Sequence, residues 1–231
     1  MQKTLFALAL AAACIAPAHA ITITQWNFNG SNLTANVGTG TAALVGGVTG
    51  GFAGGDGSTD PAAAASDKAW QTTTYAAPNV ENKKRGVQFN VSTKGMENLF
   101  LTFDLRHSNT SSRYEQVQYT LDGSTFTDLT MFDANLGGDK WYSRSLDLSS
   151  IFGANDNSKF GFRVVTVFAP GTSSYAATRS TSSYGTAGTL RFDMVTVSGD
   201  AVTAVPEPQT YALMLAGLAA VGFVARRRAT K

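Results

Sequence analysis

An antiparallel β-sandwich is the fold class this sequence predicts, and three observations carry the prediction. Across residues 99–106, Leu99, Leu101, Phe103 and Leu105 alternate with Phe100, Thr102, Asp104 and Arg106. That is the period of two expected of a strand with one buried face. Gly, Asn, Asp and Ser punctuate the chain at short intervals, as they do between the strands of sandwiches and barrels. Between residues 21 and 204 no stretch shows the 3.6-residue period of a helix.

The elements follow in chain order. Residues 21–28, containing Trp26 and Phe28, form the first strand, and 68–75 and 86–93 the next two. The alternating run 99–106 follows. In the strand after it, Val117, Tyr119 and Leu121 alternate with Gln116, Gln118 and Thr120, and Asp122-Gly123 directly after predicts a tight hairpin into the strand of Phe126 and Leu129. Tyr142, Leu146 and Leu148 line one face of the next strand. Residues 160–168 are apolar on both faces in their second half, which places this strand centrally in its sheet. Residues 190–198 close the list. Two segments resist the pattern: 36–66 is dominated by Gly, Ala and Thr, and 171–188 by Ser, Thr, Tyr and Gly. Both are read as long rim loops, a length that is uncommon unless the loop is functional or disordered.

The chain carries a net charge of +2, but this belongs to its ends. Setting aside Lys3, Arg226, Arg227, Arg228, Lys231 and Glu207 leaves 13 basic and 15 acidic residues, a net of −2 for residues 21–204. A mildly acidic body has no electrostatic footprint for nucleic acid, and Lys83-Lys84-Arg85, its one basic run, reads as a solvated turn. Cys14 is the only cysteine and lies before this body, which therefore has neither disulfides nor a thiol nucleophile and must hold together by its core.

Both ends carry addresses. Lys3, the apolar stretch 4–16 and Ala18-His19-Ala20 read as a secretory signal peptide over residues 1–20, which implies passage through the secretion translocon and cleavage by signal peptidase before Ile21. A competing reading, lipid attachment at Cys14, lacks a leucine three residues before the cysteine. At the other end Val205-Pro206-Glu207-Pro208 is a stiff, non-helical entry. An uncharged run, 211–225, follows, and then Arg226-Arg227-Arg228. The run is short for a bilayer core, but Gln209, Thr210 and the interface extend it into an expected transmembrane helix. The three arginines stay cytoplasmic by the positive-inside rule, which leaves the body on the far side of the membrane. The expected domains are thus a signal peptide at 1–20, a sandwich at 21–204, and a sorting and anchor segment at 205–231.

Val205, Pro206, Glu207 and Pro208, the apolar run and Arg226 to Arg228 together resemble the PEP-CTERM sorting signal of Gram-negative, biofilm-forming bacteria. That resemblance implies a transient encounter with an exosortase, processing near the Pro-Glu-Pro motif, and release to the cell surface or extracellular matrix. Tyr211 stands where tryptophan is frequent in that signal.

The body resembles a jelly-roll module of the carbohydrate-binding and lectin-like type, through Gln25-Trp26-Asn27-Phe28, the hairpin at 119–124 and the closing strand at 190–197. In many such modules a closing-strand aspartate holds a structural calcium ion, which here maps to Asp193. The run from Asp56 to Asp60 has oxygens at alternate positions but lacks the rest of a calcium loop. Trp26 and Trp70 read as core. Trp141 alternates with the core-facing Tyr142 and so takes the opposite face, where a flat ring can stack on the apolar face of a sugar. Trp141 is the candidate ligand-binding residue, with extracellular polysaccharide as the candidate partner.

For an enzyme the inventory is thin. His107 is the one histidine of the body, there is no Gly-x-Ser-x-Gly elbow, and a single histidine without cysteine excludes the usual zinc sites. Glu81, Glu97, Asp104 and Glu115 are the acids from which a glycosidase pair would have to come, and no spacing singles out two of them. The sequence therefore reads as a non-enzymatic structural or adhesive matrix component with polysaccharide as its candidate ligand. The alternative is a secreted hydrolase with an atypical site.

Overall fold

The strand nearest the end of the body organises its larger sheet. The computed structural model describes residues 20–202 and 208–229. Its strands are β1 (Ile21–Trp26), β2 (Val37–Gly38), β3 (Gly40–Val45), β4 (Thr49–Gly54), β5 (Lys68–Thr73), β6 (Gly86–Val91), β7 (Met96–His107), β8 (Tyr114–Thr120), β9 (Thr127–Asp133), β10 (Lys140–Asp147), β11 (Gly161–Thr166) and β12 (Leu190–Ala201). One edge of β12 pairs with β7. The other edge pairs with β5 over Leu190–Phe192 and with β1 from Val195 to Gly199. Adding β10, β2 and β4 completes seven strands, and the facing sheet runs β3-β6-β11-β8-β9. Every strand pairing is antiparallel.

The core lies between the sheets, where the alternating residues meet. Leu99, Leu101, Phe103 and Leu105 point inward from β7, and Phe89 of β6 sits among Trp26, Trp70 and Phe162 at centroid distances of 5.0, 6.0 and 5.0 Å. Rings from both sheets therefore interdigitate, which suits a core that no disulfide supports. As expected from its double-sided apolar character, β11 is the middle strand of its sheet. Lys83 pairs with Asp128 and Arg85 with Glu81, so the short basic run is largely neutralised locally.

One sequence expectation is corrected here. Residues 36–66 are not a single loop: they hold β2, β3 and β4. These strands are rich in small side chains, and one glycine in each of β3 and β4 lies against a tryptophan. A Cβ on Gly40 would fall 2.8 Å from the Trp26 ring, and one on Gly50 would fall 2.9 Å from Trp70 Nε1. The hairpin expected at Asp122-Gly123 is present, since β8 pairs antiparallel with β9. Residues 121–126 separate β8 from β9, and Asp122 Oδ1 accepts from the amides of Ser124 and Thr125, both at 2.7 Å. Those amides, with Thr125 foremost, hold the Asp122 carboxyl far below the usual aspartate range.

Residues 202–231 form a second unit. Within it α1 spans Pro208–Ala229, with Pro208 in the first turn, where its missing N–H costs nothing. Arg226, Arg227 and Arg228 occupy the last turn and complement the negative end of the helix dipole. Apolar side chains from Leu213 to Val224 are exposed, Leu213 by 74%. Among the described residues no helix is both long and apolar enough to cross a membrane, which departs from the expected transmembrane helix. The reason is length: the uncharged run 211–225 is short of the roughly 20 apolar residues a bilayer core needs, and the arginines end it. Residues 1–19, which hold most of the expected signal peptide, and Val205, Pro206 and Glu207 lie outside the described residues.

Candidate functional site

Asp104 of β7 and Asp193 of β12 are cross-strand partners on the face of the larger sheet that points away from the core. Two carboxylates in that relation repel, and on an outer face water would normally screen them. Here both are buried, Asp193 completely, because residues 55–67 between β4 and β5 fold back over them. Thr59 donates to Asp104 Oδ2 from its amide and its hydroxyl, each at 2.6 Å, and Ser143 Oγ donates to Asp104 Oδ1 at 2.6 Å. Asp104 is thus fully served by neutral donors. Asp193 accepts from Ser58 Oγ at 2.7 Å and from the Met194 amide at 2.8 Å. Met194 itself has φ +45° at a bulge in β12, where a bulge re-aims the neighbouring side chain.

The same fold-back brings in two further acids. Asp60, Asp67 and Asp193 each present one carboxylate oxygen such that all three lie within 4.8 Å of one another. No donor reaches Asp67 Oδ1, which is buried. A Cβ on Gly55 would fall 2.2 Å from that oxygen and 2.9 Å from Asp193 Oδ2, so glycine shapes the floor of the cluster. Asn29 braces it, donating to Asp60 Oδ2 and accepting from the Lys68 amide. Burial pushes the Asp193 carboxyl up to about 7, opposed by the Ser58 and Met194 hydrogen bonds and assisted by Asp67 and Asp60. Asp67 is raised as well, by burial first and then by Asp60 and Asp56.

Three gathered carboxylates, one of them with a buried oxygen that no donor reaches, call for a proton or a cation. These residues fit calcium, which takes hard oxygen ligands in flexible geometry. Asp60, Asp67 and Asp193 would hold it, and it would supply a counter-charge directly between their oxygens. Asp193 was legible as a candidate, and Asp60 belongs to the acidic run noted in the sequence. Asp67 was not legible, since its place depends on β5 pairing with β12.

Trp141 lies on the outer face, as its alternation with buried Tyr142 required, but it is half-buried. Its Nε1 donates to the Asp56 carbonyl at 2.9 Å, and its ring abuts Gly57, so the indole also clamps the loop 55–67. Two residues along β10, Ser143 lines a depression of about 380 Å³ together with Gln25, Thr59, Thr102, Ser145 and Thr196. Trp26 and Trp70 are core residues, as expected.

His107 ends β7 fully buried, with Nδ1 2.9 Å from the Ser112 carbonyl oxygen and Nε2 3.5 Å from Glu115 Oε2. Arg144 completes the group, donating to Glu115 Oε1 from Nη2 at 2.6 Å and from Nε at 3.0 Å. This is a buried, charge-paired brace inside the sandwich. The other acids lie elsewhere: Glu81 pairs with Arg85, Glu97 opposes Asp200 near the start of β7, and Asp104 is under the loop.

The profile of the PEP-CTERM protein-sorting motif matches residues 204–228. The chain carries a PEP-CTERM sorting motif. The motif implies processing by an exosortase and export to the cell surface or beyond it, and it contains Val205, Pro206, Glu207, Pro208 and the arginines 226–228. No curated protein matches the chain significantly. Among solved structures, the body is similar to the CBM22-1-CBM22-2 tandem domain of Paenibacillus barcinonensis Xyn10C, at 12% identity and TM-score 0.49, over 77% of this chain and 50% of that one. The PEP-CTERM chain thus spans half the length of that structure. It is also similar to the C-terminal family 22 carbohydrate binding module of Clostridium thermocellum Xyn10B, at 15% identity and TM-score 0.44, over 80% of this chain and 97% of that one. A third is the K1 cleaved adhesin domain of Lys-gingipain from Porphyromonas gingivalis W83, at 11% identity and TM-score 0.38, over 71% and 99%.

Proposed function

We propose that this is an exosortase-processed matrix protein of a biofilm, whose calcium-braced β-sandwich acts structurally or adhesively and binds polysaccharide on the outer face of its larger sheet. The observation that carries the sorting half is the motif at residues 204–228. Residues 1–20 direct the chain through the secretion translocon, signal peptidase removes them, and α1 is the segment presented to the exosortase. The binding half rests on the half-exposed Trp141 beside a depression lined by the hydroxyl and amide groups of Gln25, Thr102, Ser143, Ser145 and Thr196, the mixture of ring and hydrogen-bonding groups that a sugar needs. The hydrolase alternative is less favoured, because His107 and Glu115 meet in the interior and not in an open cleft.

Mass spectrometry of surface or matrix material tests the sorting half: the mature C-terminus is expected near Pro208, without the apolar run. Recovery of chains ending at Lys231 from that fraction would count against processing. The binding half is tested by a glycan array with the purified protein, in calcium and in chelator. Trp141→Ala is expected to weaken the best ligand about tenfold. Trp141→Phe keeps a ring but loses the bond to Asp56, and should retain most of the affinity. Equal affinity of the wild type and Trp141→Ala would move the ligand off this face.

A further inference from the structure

Residues 171–188 contain no strand, yet they are pinned at 175–179 and at 184–186. Arg113, Thr178, Arg179 and Gly185 form backbone bonds between this segment and residues 109–113, and Tyr75 donates its amide to the Thr186 carbonyl. Two tyrosines anchor it by their hydroxyls: Tyr184 donates to the Ala76 carbonyl at 2.8 Å, and Tyr175 reaches the Val80 and Glu81 carbonyls. Their rings stack at 4.8 Å. A long irregular segment in a compact domain is usually either disordered or functional. This one is anchored on both sides of residues 180–183, which is how a preformed binding site is built.

The segment closes a depression of about 490 Å³ whose lining includes Arg113, Arg179, Ser180, Ser182, Ser183 and Tyr184. Arg113 is already matched by Asp133, at 2.6 and 2.8 Å. Arg179 is exposed, and its guanidinium has no hydrogen bond or ion pair among the described residues; the three serine hydroxyls are likewise uncommitted. One wall is a fixed aromatic ring, another offers hydroxyls, and the floating charge is a planar cationic fork. A carboxylate matches that fork with two parallel hydrogen bonds. The apolar face of a sugar ring matches the tyrosine. A neutral sugar would leave Arg179 unpaired, and a free inorganic anion would leave the ring unused. With the body at a net charge of −2, capture of an acidic polymer depends on such a local cation.

We propose that this depression binds a carboxylate-bearing sugar, a uronic acid residue of an extracellular polysaccharide, with Arg179 on the carboxylate, the serines on ring hydroxyls and Tyr184 under the apolar face. This site has a different lining from the Trp141 face and goes beyond the function proposed above. Calorimetric titration of the purified protein with an oligoglucuronate tests it, at fixed calcium, with a neutral xylo-oligosaccharide and dextran sulfate as comparisons. The oligoglucuronate is expected to bind, and Arg179→Ala to weaken it about tenfold or more. Arg179→Lys should fall between, since lysine keeps the charge but not the fork. Arg179 is on the surface, so an unchanged melting temperature will verify that each variant folds. Unchanged affinity in Arg179→Ala would overturn the proposal, as would equal affinity for dextran sulfate. Loss of oligoglucuronate binding in Trp141→Ala alone would also overturn it while leaving the outer-face reading intact.

Discussion

Replacing Phe103 with alanine is expected to destabilise the protein by about 3 to 5 kcal/mol, the cost of removing a buried ring and leaving a cavity. Phe103 is 2% exposed and meets Phe132 edge-on at 6.3 Å, so it ties β7 of the larger sheet to β9 of the smaller. Three residues earlier, Phe100 points the other way and is 39% exposed. Phe100→Ala removes the same ring from a surface that solvent already reaches, and should cost roughly 1 kcal/mol or less. Denaturant midpoints of the two variants make the comparison, provided the slopes of the transitions agree. Equal losses would mean that both faces of β7 are covered, contrary to the exposure of Phe100.

Calcium is expected to raise the melting temperature in a concentration-dependent way, by about 5–10 °C at a hundredfold excess over its dissociation constant. The reason is the cluster of Asp60, Asp67 and Asp193, where Asp67 Oδ1 has no donor. The response should depend on pH. An ordinary aspartate releases its proton near 3.8, whereas burial holds the proton on Asp193 up to about 7. Between those values the folded protein binds more protons than the unfolded chain, so without calcium this residue lowers stability as pH rises through the window. The difference corresponds to roughly 4 kcal/mol as an upper bound. The gain from calcium should therefore be larger at pH 7.5 than at pH 5, where a proton competes for the same oxygens. Asp193→Asn imitates the protonated residue: at pH 7.5 it is expected to stabilise the calcium-free protein and to abolish most of the calcium response. A melting temperature indifferent to both calcium and chelator would remove the cation from this site.

The sequence by itself determined the sandwich and the address. Period-two alternation is a local property, so residues 99–106 declared which side of β7 would be buried before any partner was known, and Phe103 and Phe100 fall as that pattern requires. A sorting signal is read as a linear string, and the motif at 204–228 is therefore fully legible. Alternation cannot report strands built from glycine, alanine and threonine. That is why β2, β3 and β4 were hidden in this segment, where Gly40 and Gly50 leave room for the rings of Trp26 and Trp70. The acidic cluster was only partly visible for a related reason. Asp193 stands on β12, Asp60 on a loop and Asp67 at the threshold of β5, and only the pairing of β5 with β12 and the fold-back of residues 55–67 bring them together. The same fold-back turns Trp141 from a free surface ring into a half-buried clamp. Strand identity follows from neighbours one and two residues away, whereas a site made of three distant segments depends on which strands pair and in what register, and that is settled by the packing of the whole core.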